Sequence, residues 1–387
     1  MYEIKTLNKI AQIGVNMLGD HLSINDQCEN PDGVLVRSAD MHATELSANL
    51  KAIARAGAGV NNIPVERCSE KGIVVFNTPG ANANAVKELT IAGLLLSARK
   101  IADGIIWAKT LNGTSTDVAK DVEKGKASFV GPELLGKTLG VIGLGAIGVM
   151  VANAVEALGM DVIGFDPYIS VDAAWGLSRT VKKAMGINEI LSKADYITLH
   201  VPLNKDTKGM INKESFGLMK QGVRIVNFSR GELVNDVDMR TALANGLVAT
   251  YVTDFPNEEI LQCENVVAIP HLGASTPESE DNCAIMAARE LREYLENGNI
   301  VNSVNFPTCD LPRSSETRIC IAHQNIPNML SQISTAVAKH EINIQNMLNK
   351  SKGNMAYTIL DIDGSCSDVM TNEFSSIAGV LKVRVLS

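Results

Sequence analysis

Between residues 33 and 76, short apolar runs alternate with segments of helical patterning: Gly33-Val-Leu-Val36, Leu50-Lys-Ala-Ile-Ala54 and Gly72-Ile-Val-Val-Phe76. Runs of this kind, spaced by helix-length segments, predict strands buried on both faces in a parallel sheet with crossover helices. Each gives way at once to a polar or cationic residue: Arg37 and Ser38, then Arg55, then Asn77 and soon Asn82. In an open parallel sheet those carboxyl ends share one edge, and ligands bind along it.

A long helical pattern, from Ala83 to Leu111, leads through a polar loop to a fresh strand at Thr138-Leu-Gly-Val-Ile142. Further strands are predicted at Asp161–Phe165, Asp195–Leu199, Val223–Phe228, Leu247–Thr253 and Asn265–Ile269, with helix-like segments in most gaps. This is the cadence of a doubly wound α/β sheet. Ser275-Thr-Pro-Glu278 reads as a helix start, with a capping-box serine and glutamate and a proline in the first turn, and Gly298 as its stop. Such a helix is long enough to return the chain to the first unit.

From Ser303 to Thr317 the chain holds Pro307, Pro312 and a polar cluster without periodicity, which predicts a linker. The last stretch reads strand, helix, strand, strand, helix, strand, a ferredoxin-like βαββαβ order. The predicted organisation is a discontinuous substrate-binding domain (residues 1–86 and 275–304), a nucleotide-binding domain (87–274), a linker (305–317) and a C-terminal unit (318–387). Truncation near Pro312 is expected to leave the rest folded.

Composition narrows the partners. The chain has 387 residues with 35 Lys and Arg against 43 Asp and Glu, a formal net charge of −8, so no overall basic field exists to hold nucleic acid or an anionic membrane. The seven cysteines are scattered, odd in number and free of C-x-x-C pairs, which disfavours a disulfide framework or a thiolate zinc site; no metal is expected. No apolar signal core opens the chain and no run is long enough to span a bilayer, so a cytoplasmic protein is expected.

Gly143-Leu-Gly145-Ala146-Ile147-Gly148 directly follows a predicted strand and opens a helix, and Asp166 ends the next strand. Glycines there let backbone approach a pyrophosphate at a helix N-terminus, while the acid accepts from ribose hydroxyls and repels a 2′-phosphate. The cofactor expected is NAD. Past later strand ends fall His200, Arg230, Asp254 and His271. Hydride transfer from a secondary alcohol needs a base for the hydroxyl proton and a cation for the substrate's carboxylate or developing carbonyl charge. His271 and Arg230 suit those tasks, and a carboxylate beside the histidine, Glu258 or Glu259, would orient it. His200, followed by Val201 and Pro202, is left outside the catalytic set.

Several motifs carry a family resemblance: Arg55-Ala-Gly-Ala-Gly-Val-Asn-Asn-Ile63, Asn77-Thr-Pro79, the Gly143–Gly148 loop, His200-Val-Pro-Leu203, Asn227-Phe-Ser-Arg-Gly231 and Pro270-His-Leu-Gly-Ala-Ser-Thr276. Across essentially the whole chain they resemble the D-2-hydroxyacid dehydrogenases. The resemblance implies a Rossmann-type NAD domain inserted in a flavodoxin-like substrate domain. It also implies NAD-dependent oxidation of D-3-phosphoglycerate to 3-phosphohydroxypyruvate, the first step of L-serine biosynthesis, by a homodimer or homotetramer.

By the same resemblance His271 is the acid/base, Arg230 binds the substrate carboxylate and carbonyl, and Glu258, preferred over Glu259, partners the histidine. Arg37, Arg55 and Asn82 are implied for the substrate. Ala58, Val201, Phe228, Ser229, Asp254, Gly273 and Ala274 join Gly143, Gly145, Ala146, Ile147, Gly148 and Asp166 around the cofactor. Two arginines suit a substrate that carries both phosphate and carboxylate. Glyoxylate, hydroxypyruvate or D-lactate chemistry, and an NAD-sensing protein without activity, are the competing expectations.

The C-terminal unit resembles an ACT domain, an amino-acid-binding regulatory module. His323, Asn325 and Asn343 fall at the positions that would contact an L-serine effector, while Asn328 stands where a glycine usually follows the proline.

Overall fold

The computed structural model describes residues Met1–Ser387. They form two compact units, Met1–Asn82 with Pro277–Ser387, and Ala83–Thr276. The sequence-based division set residues 318–387 apart as a separate unit, whereas here they belong to the first.

In the first unit, β1 (Tyr2–Leu7), β2 (Leu22–Ile24), β3 (Gly33–Val36), β4 (Ala52–Arg55) and β5 (Val74–Phe76) make a parallel sheet of order β2-β1-β3-β4-β5. Side chains alternate across it. Leu35, Ala52, Ala54, Val74 and Phe76 face one core, and Val34, Val36, Ile53 and Val75 face another. β1 and β2 are absent from the sequence reading because β1 buries only Ile4 fully and has no continuous apolar run.

The second unit carries β6 (Thr138–Ile142), β7 (Asp161–Phe165), β8 (Lys182–Lys183), β9 (Tyr196–Leu199), β10 (Val223–Asn227), β11 (Val248–Thr253) and β12 (Val266–Ala268). Their order, β12-β11-β10-β9-β6-β7-β8, reverses direction at β6, the doubly wound arrangement expected. The single helix expected from Ala83 to Leu111 is two, Ala83–Ala98 and Ile101–Thr110, broken where the Ile101 N–H bonds back to the Arg99 carbonyl.

The chain re-enters the first unit in the helix Pro277–Asn297. Proline takes its first helical position, so Ser275 lies outside the helix, its hydroxyl on the His271 carbonyl at 3.4 Å rather than in a capping box. Ala287, Ala288, Leu291, Tyr294 and Leu295 of this helix are buried in the β1–β5 core.

Beyond it, β13 (Thr317–Gln324), β14 (Ile344–Lys352), β15 (Met355–Ile362) and β16 (Val380–Leu386), with helices Met329–Lys339 and Asp368–Ser376, realise the βαββαβ order. The antiparallel sheet runs β14-β15-β13-β16. One face, with Ile319, Ile321, Leu360 and Ile362, packs its own helices through Ile333 and Phe374. The other, with Cys320, Ala322, Tyr357 and Ile359, shares a continuous core with Phe76, Tyr294 and Phe306.

That second face also receives the end of the long helix, whose last carbonyls lack intrahelical donors. Arg384 donates to the Tyr294 and Leu295 carbonyls at 2.9 and 2.8 Å, its guanidinium 4.4 Å from the Tyr294 ring centroid. Arg318 donates to the Asn297 carbonyl at 2.9 Å, and the Tyr357 hydroxyl to that of Gly298 at 2.8 Å. Both arginines place positive charge at the negative end of the helix dipole. Arg318 also forks onto Asp361 at 2.6 and 2.9 Å, with both side chains fully buried. Burial alone would raise the Asp361 carboxyl; the guanidinium and the Ser314 donors outweigh it and hold it below the usual carboxylate range.

The predicted linker is therefore corrected. Phe306 and Cys309 are fully buried, and the Asn305 amide bonds Val75, Ile73 and Ser69. Residues 305–309 read as loose because their order comes from side chains filling gaps between elements, which leaves no periodicity, while 310–316 run mostly exposed. The C-terminal sheet shares its second core with the first sheet, so its removal is expected to expose that core.

Ending the chain after Pro312 is expected to unfold the Met1–Asn82 segment rather than release an active enzyme, with loss of protease resistance as the readout. Asp361→Asn, which strands the buried Arg318 charge, should cost about 3–5 kcal/mol in urea denaturation. A pH effect follows from Glu290. This buried carboxyl on the long helix bonds only Asn302, through one oxygen, and burial pushes its pKa up to about 8. The unfolded chain ionises near 4.5, so stability should fall as pH rises from there to about 8. Glu290→Gln should abolish that slope in thermal melts across the range.

Candidate active site

In the second unit the carboxyl ends of β12, β11, β10, β9, β6 and β7 lie side by side. They carry, in that spatial order, His271, Asp254, Arg230, Val201, Gly143 and Asp166. At about 4.8 Å between strands the row is about 24 Å long. Residues 128 apart in sequence, from Gly143 to His271, thus share one edge.

Gly143 turns the chain with φ +94°, and a Cβ there would sit 2.5 Å from the His200 carbonyl. A Cβ on Gly148 would lie 1.9 Å from the Gly143 carbonyl oxygen. Gly145 faces open space at the start of the helix Ala146–Glu156, whose first turn has no side-chain cap. Uncapped N–H groups and open space together suit a pyrophosphate. Each Asp166 oxygen accepts one backbone N–H, from Leu144 at 2.9 Å and Tyr168 at 2.8 Å. That fixes the carboxylate and leaves lone pairs for a ribose diol.

At the other end of the row, Asn227 is buried and organises the turn after β10. Its carbonyl oxygen accepts from the Ser229 N–H at 3.1 Å and its amide donates to the Arg230 carbonyl at 2.9 Å. The Ser229 hydroxyl donates to the Val201 carbonyl at 2.7 Å, which joins two of the loops. Arg230 is half-buried, with one nitrogen on the Ser229 carbonyl at 2.6 Å. Asp254 is buried and accepts from the Gly273 N–H at 3.1 Å through one oxygen; its Oδ1 has no partner. Burial raises its pKa, opposed by that N–H and by the charges of His271 and Arg230. An orphaned buried acceptor here fits an amide donor such as a carboxamide. His200 bonds the Thr198 hydroxyl at 3.0 Å, and desolvation lowers its pKa to about 4.

His271 donates its backbone N–H to the Asp254 carbonyl at 3.0 Å, and its exposed ring packs on Phe255 with centroids 4.6 Å apart. Neither glutamate forms an ion pair with it. Asn257 caps the short helix Glu258–Leu261 and bonds Asp236, and Glu259 faces Arg240 at 3.6 Å. Glu258 opens that helix without an ion pair. Neither Glu258 nor Glu259 is brought into contact with the histidine.

In the first unit Arg37 follows β3 and Arg55 ends β4, on paired strands. The Arg55 Nε donates to the Arg37 carbonyl at 2.9 Å and its Nη1 to the Gly59 carbonyl. The Asn77 amide holds the Ala58 carbonyl, and Asn82 lies where the chain leaves the unit. Arg37 pairs with Glu280 at 2.6 Å, a contact with no local signal in the sequence because its partners are 243 residues apart.

The side chains implied for an effector are committed within the chain. His323 is buried between the Gln324 carbonyl and the Thr358 hydroxyl, Asn325 donates to the Gly353 carbonyl, and Asn343 to Asp363. Asn328 adopts φ +66°, the left-handed conformation that glycine would otherwise supply.

Residues 94–273 match the family described as D-isomer specific 2-hydroxyacid dehydrogenase, NAD binding domain. The chain is 36% identical over 313 residues to D-3-phosphoglycerate dehydrogenase of Methanocaldococcus jannaschii, covering 79% of this chain and 57% of that one. Against D-3-phosphoglycerate dehydrogenase 1 of Saccharomyces cerevisiae it is 32% identical over 355 residues, covering 85% and 72%. Among solved structures, NAD+-bound 3-phosphoglycerate dehydrogenase of Entamoeba histolytica superposes with a TM-score of 0.60 at 27% identity, over 79% of this chain and 98% of that one. Apo D-mandelate dehydrogenase of Rhodotorula graminis shares the fold, with a TM-score of 0.68 at 20% identity over 81% and 99%. The chain thus spans little more than half of the Methanocaldococcus relative.

The cofactor is accordingly NAD, and the loop, the acid and the orphaned Asp254 oxygen all fit it. Gly148→Ala should weaken NADH binding by about tenfold or more, since the new methyl must displace the Gly143 carbonyl from the pyrophosphate turn. Fluorescence titration of NADH against the folded variant checks this.

Proposed function

Because the chain belongs to the D-isomer specific 2-hydroxyacid dehydrogenase family, we propose that it oxidises D-3-phosphoglycerate to 3-phosphohydroxypyruvate with NAD, the step that opens L-serine biosynthesis. The observation that carries this reading is the arginine pair at neighbouring strand ends, Arg37 and Arg55, in the unit that does not bind the nucleotide. A phosphorylated 2-hydroxy acid carries about three negative charges, and guanidinium forks match both phosphate and carboxylate. A lactate-like acid needs only one.

In this reading Arg230 binds the substrate carboxylate and the C2 oxygen, braced by Asn227. The His271 imidazole takes the hydroxyl proton as the C2–O bond becomes a carbonyl. NAD, when bound, accepts the hydride from C2. Asp254 fixes the loop around the base through the His271 and Gly273 N–H groups. Glu258, not engaged by Arg240, is the glutamate we assign to the histidine in the working enzyme.

Initial rates with NAD on 3-phosphoglycerate, D-lactate and 2-hydroxyglutarate test the assignment. The phosphorylated acid should have the highest kcat/KM; turnover of D-lactate with 3-phosphoglycerate inert would overturn it. His271→Asn should cut kcat by about 10²–10⁴ while NADH still binds. Glu258→Gln should lower kcat at saturating NAD while NADH still binds. Glu259→Gln should not.

A further inference from the structure

Arg37 meets a carboxylate before any substrate arrives. Its Nη2 lies 2.6 Å from Glu280 Oε1, and Glu280 belongs to the first turn of the helix Pro277–Asn297. Its strand neighbour Arg55 is braced instead by the Arg37 and Gly59 carbonyls. An acid on a cation meant for an anionic substrate is paradoxical, unless its charge is part of how the cation discriminates.

We propose that Glu280 is a specificity-determining residue that sets the affinity of Arg37 for the substrate's phosphate. The inference rests on the reading of Arg37 as a substrate cation. A guanidinium offers five N–H donors, and bidentate recognition of phosphate takes two parallel ones. With Nη2 held by Glu280, an arriving phosphate either displaces the carboxylate or binds the remaining donors beside it. In both cases the Glu280 charge opposes it.

By Coulomb's law a dianionic phosphate feels that opposition twice as strongly as a monoanionic carboxylate at the same distance. Glu280 therefore narrows the advantage of phosphorylated over unphosphorylated acids, while its oxygen keeps the Arg37 fork in place. Both side chains are 44% exposed, so water and salt limit the effect to about three- to tenfold in KM.

The test measures KM and kcat for 3-phosphoglycerate and D-glycerate at saturating NAD in the full-length wild type, Glu280→Gln and Glu280→Ala, at low and high salt. Inorganic phosphate serves as a competitive inhibitor. Glu280→Gln keeps an acceptor for Nη2 but removes the charge. It should lower the ratio of the 3-phosphoglycerate KM to the D-glycerate KM by about three- to tenfold, strengthen phosphate inhibition in parallel, and lose much of that gain at high salt. Glu280→Ala, which also releases the fork, should gain less.

If Glu280 served only to stabilise the helix start, both variants would lower the melting temperature and leave the KM ratio and phosphate inhibition as in the wild type, which would overturn the proposal. A KM ratio raised by Glu280→Gln would overturn it as well. A wild type that turns over D-glycerate but not 3-phosphoglycerate would instead defeat the reading of Arg37 on which the proposal rests.

Discussion

The first unit hangs on the reception of one helix end. The Pro277–Asn297 helix supplies the apolar stripe that fills the core behind β1–β5, and its last carbonyls need donors in a place that water does not reach. Arg384, Arg318 and Tyr357 supply them from β16, β13 and β15, and Asp361 neutralises Arg318 in turn. Such donors are costly to bury alone and costly to remove once buried. The helix, the segment after it and the antiparallel sheet are therefore held as one piece, whatever further role the βαββαβ unit has.

The opposite end of the same helix carries charge. Its first turn carries Glu280, which holds Arg37, and the loop that carries His271 and Gly273 immediately precedes it in the chain. One helix thus carries at its first turn the acid that pairs with Arg37 and, at its far end, carbonyls capped by Arg384, Arg318 and Tyr357. Glu290, buried midway with one unpartnered oxygen, is the weak point along it: ionising that carboxyl without a cation works against folding.

In the second unit, topology does what no local motif can. Reversal of strand order at β6 lays the Gly143–Gly148 turn, Asp166, Arg230 and His271 along one edge. Buried polar side chains then fix each loop: Asn227 for the Arg230 turn, Asp254 for the His271 loop, and Ser229 for the join to Val201. Two of these sit at zero or one per cent exposure, where a lost hydrogen bond has no water to replace it.

The sequence by itself determined the doubly wound sheet, the βαββαβ order, the Gly143–Asp166 nucleotide signature and the strand-end positions of Arg37, Arg55, Arg230 and His271. All of these are local: apolar runs, glycines at fixed spacing and polar residues just past a strand follow from the backbone's short-range needs. Only the tertiary structure decided that Asn305, Phe306 and Cys309 are core rather than linker and that the C-terminal sheet caps the long helix. It alone paired Glu280 with Arg37, and it turned Glu259 to Arg240 instead of to the histidine. Each of those is a contact between residues distant in sequence or a choice of rotamer. Asn305, Phe306 and Arg384 look like loop and strand-edge residues until the elements around them exist, because burial and hydrogen-bond partnership are properties of the packed chain and not of its neighbours along it.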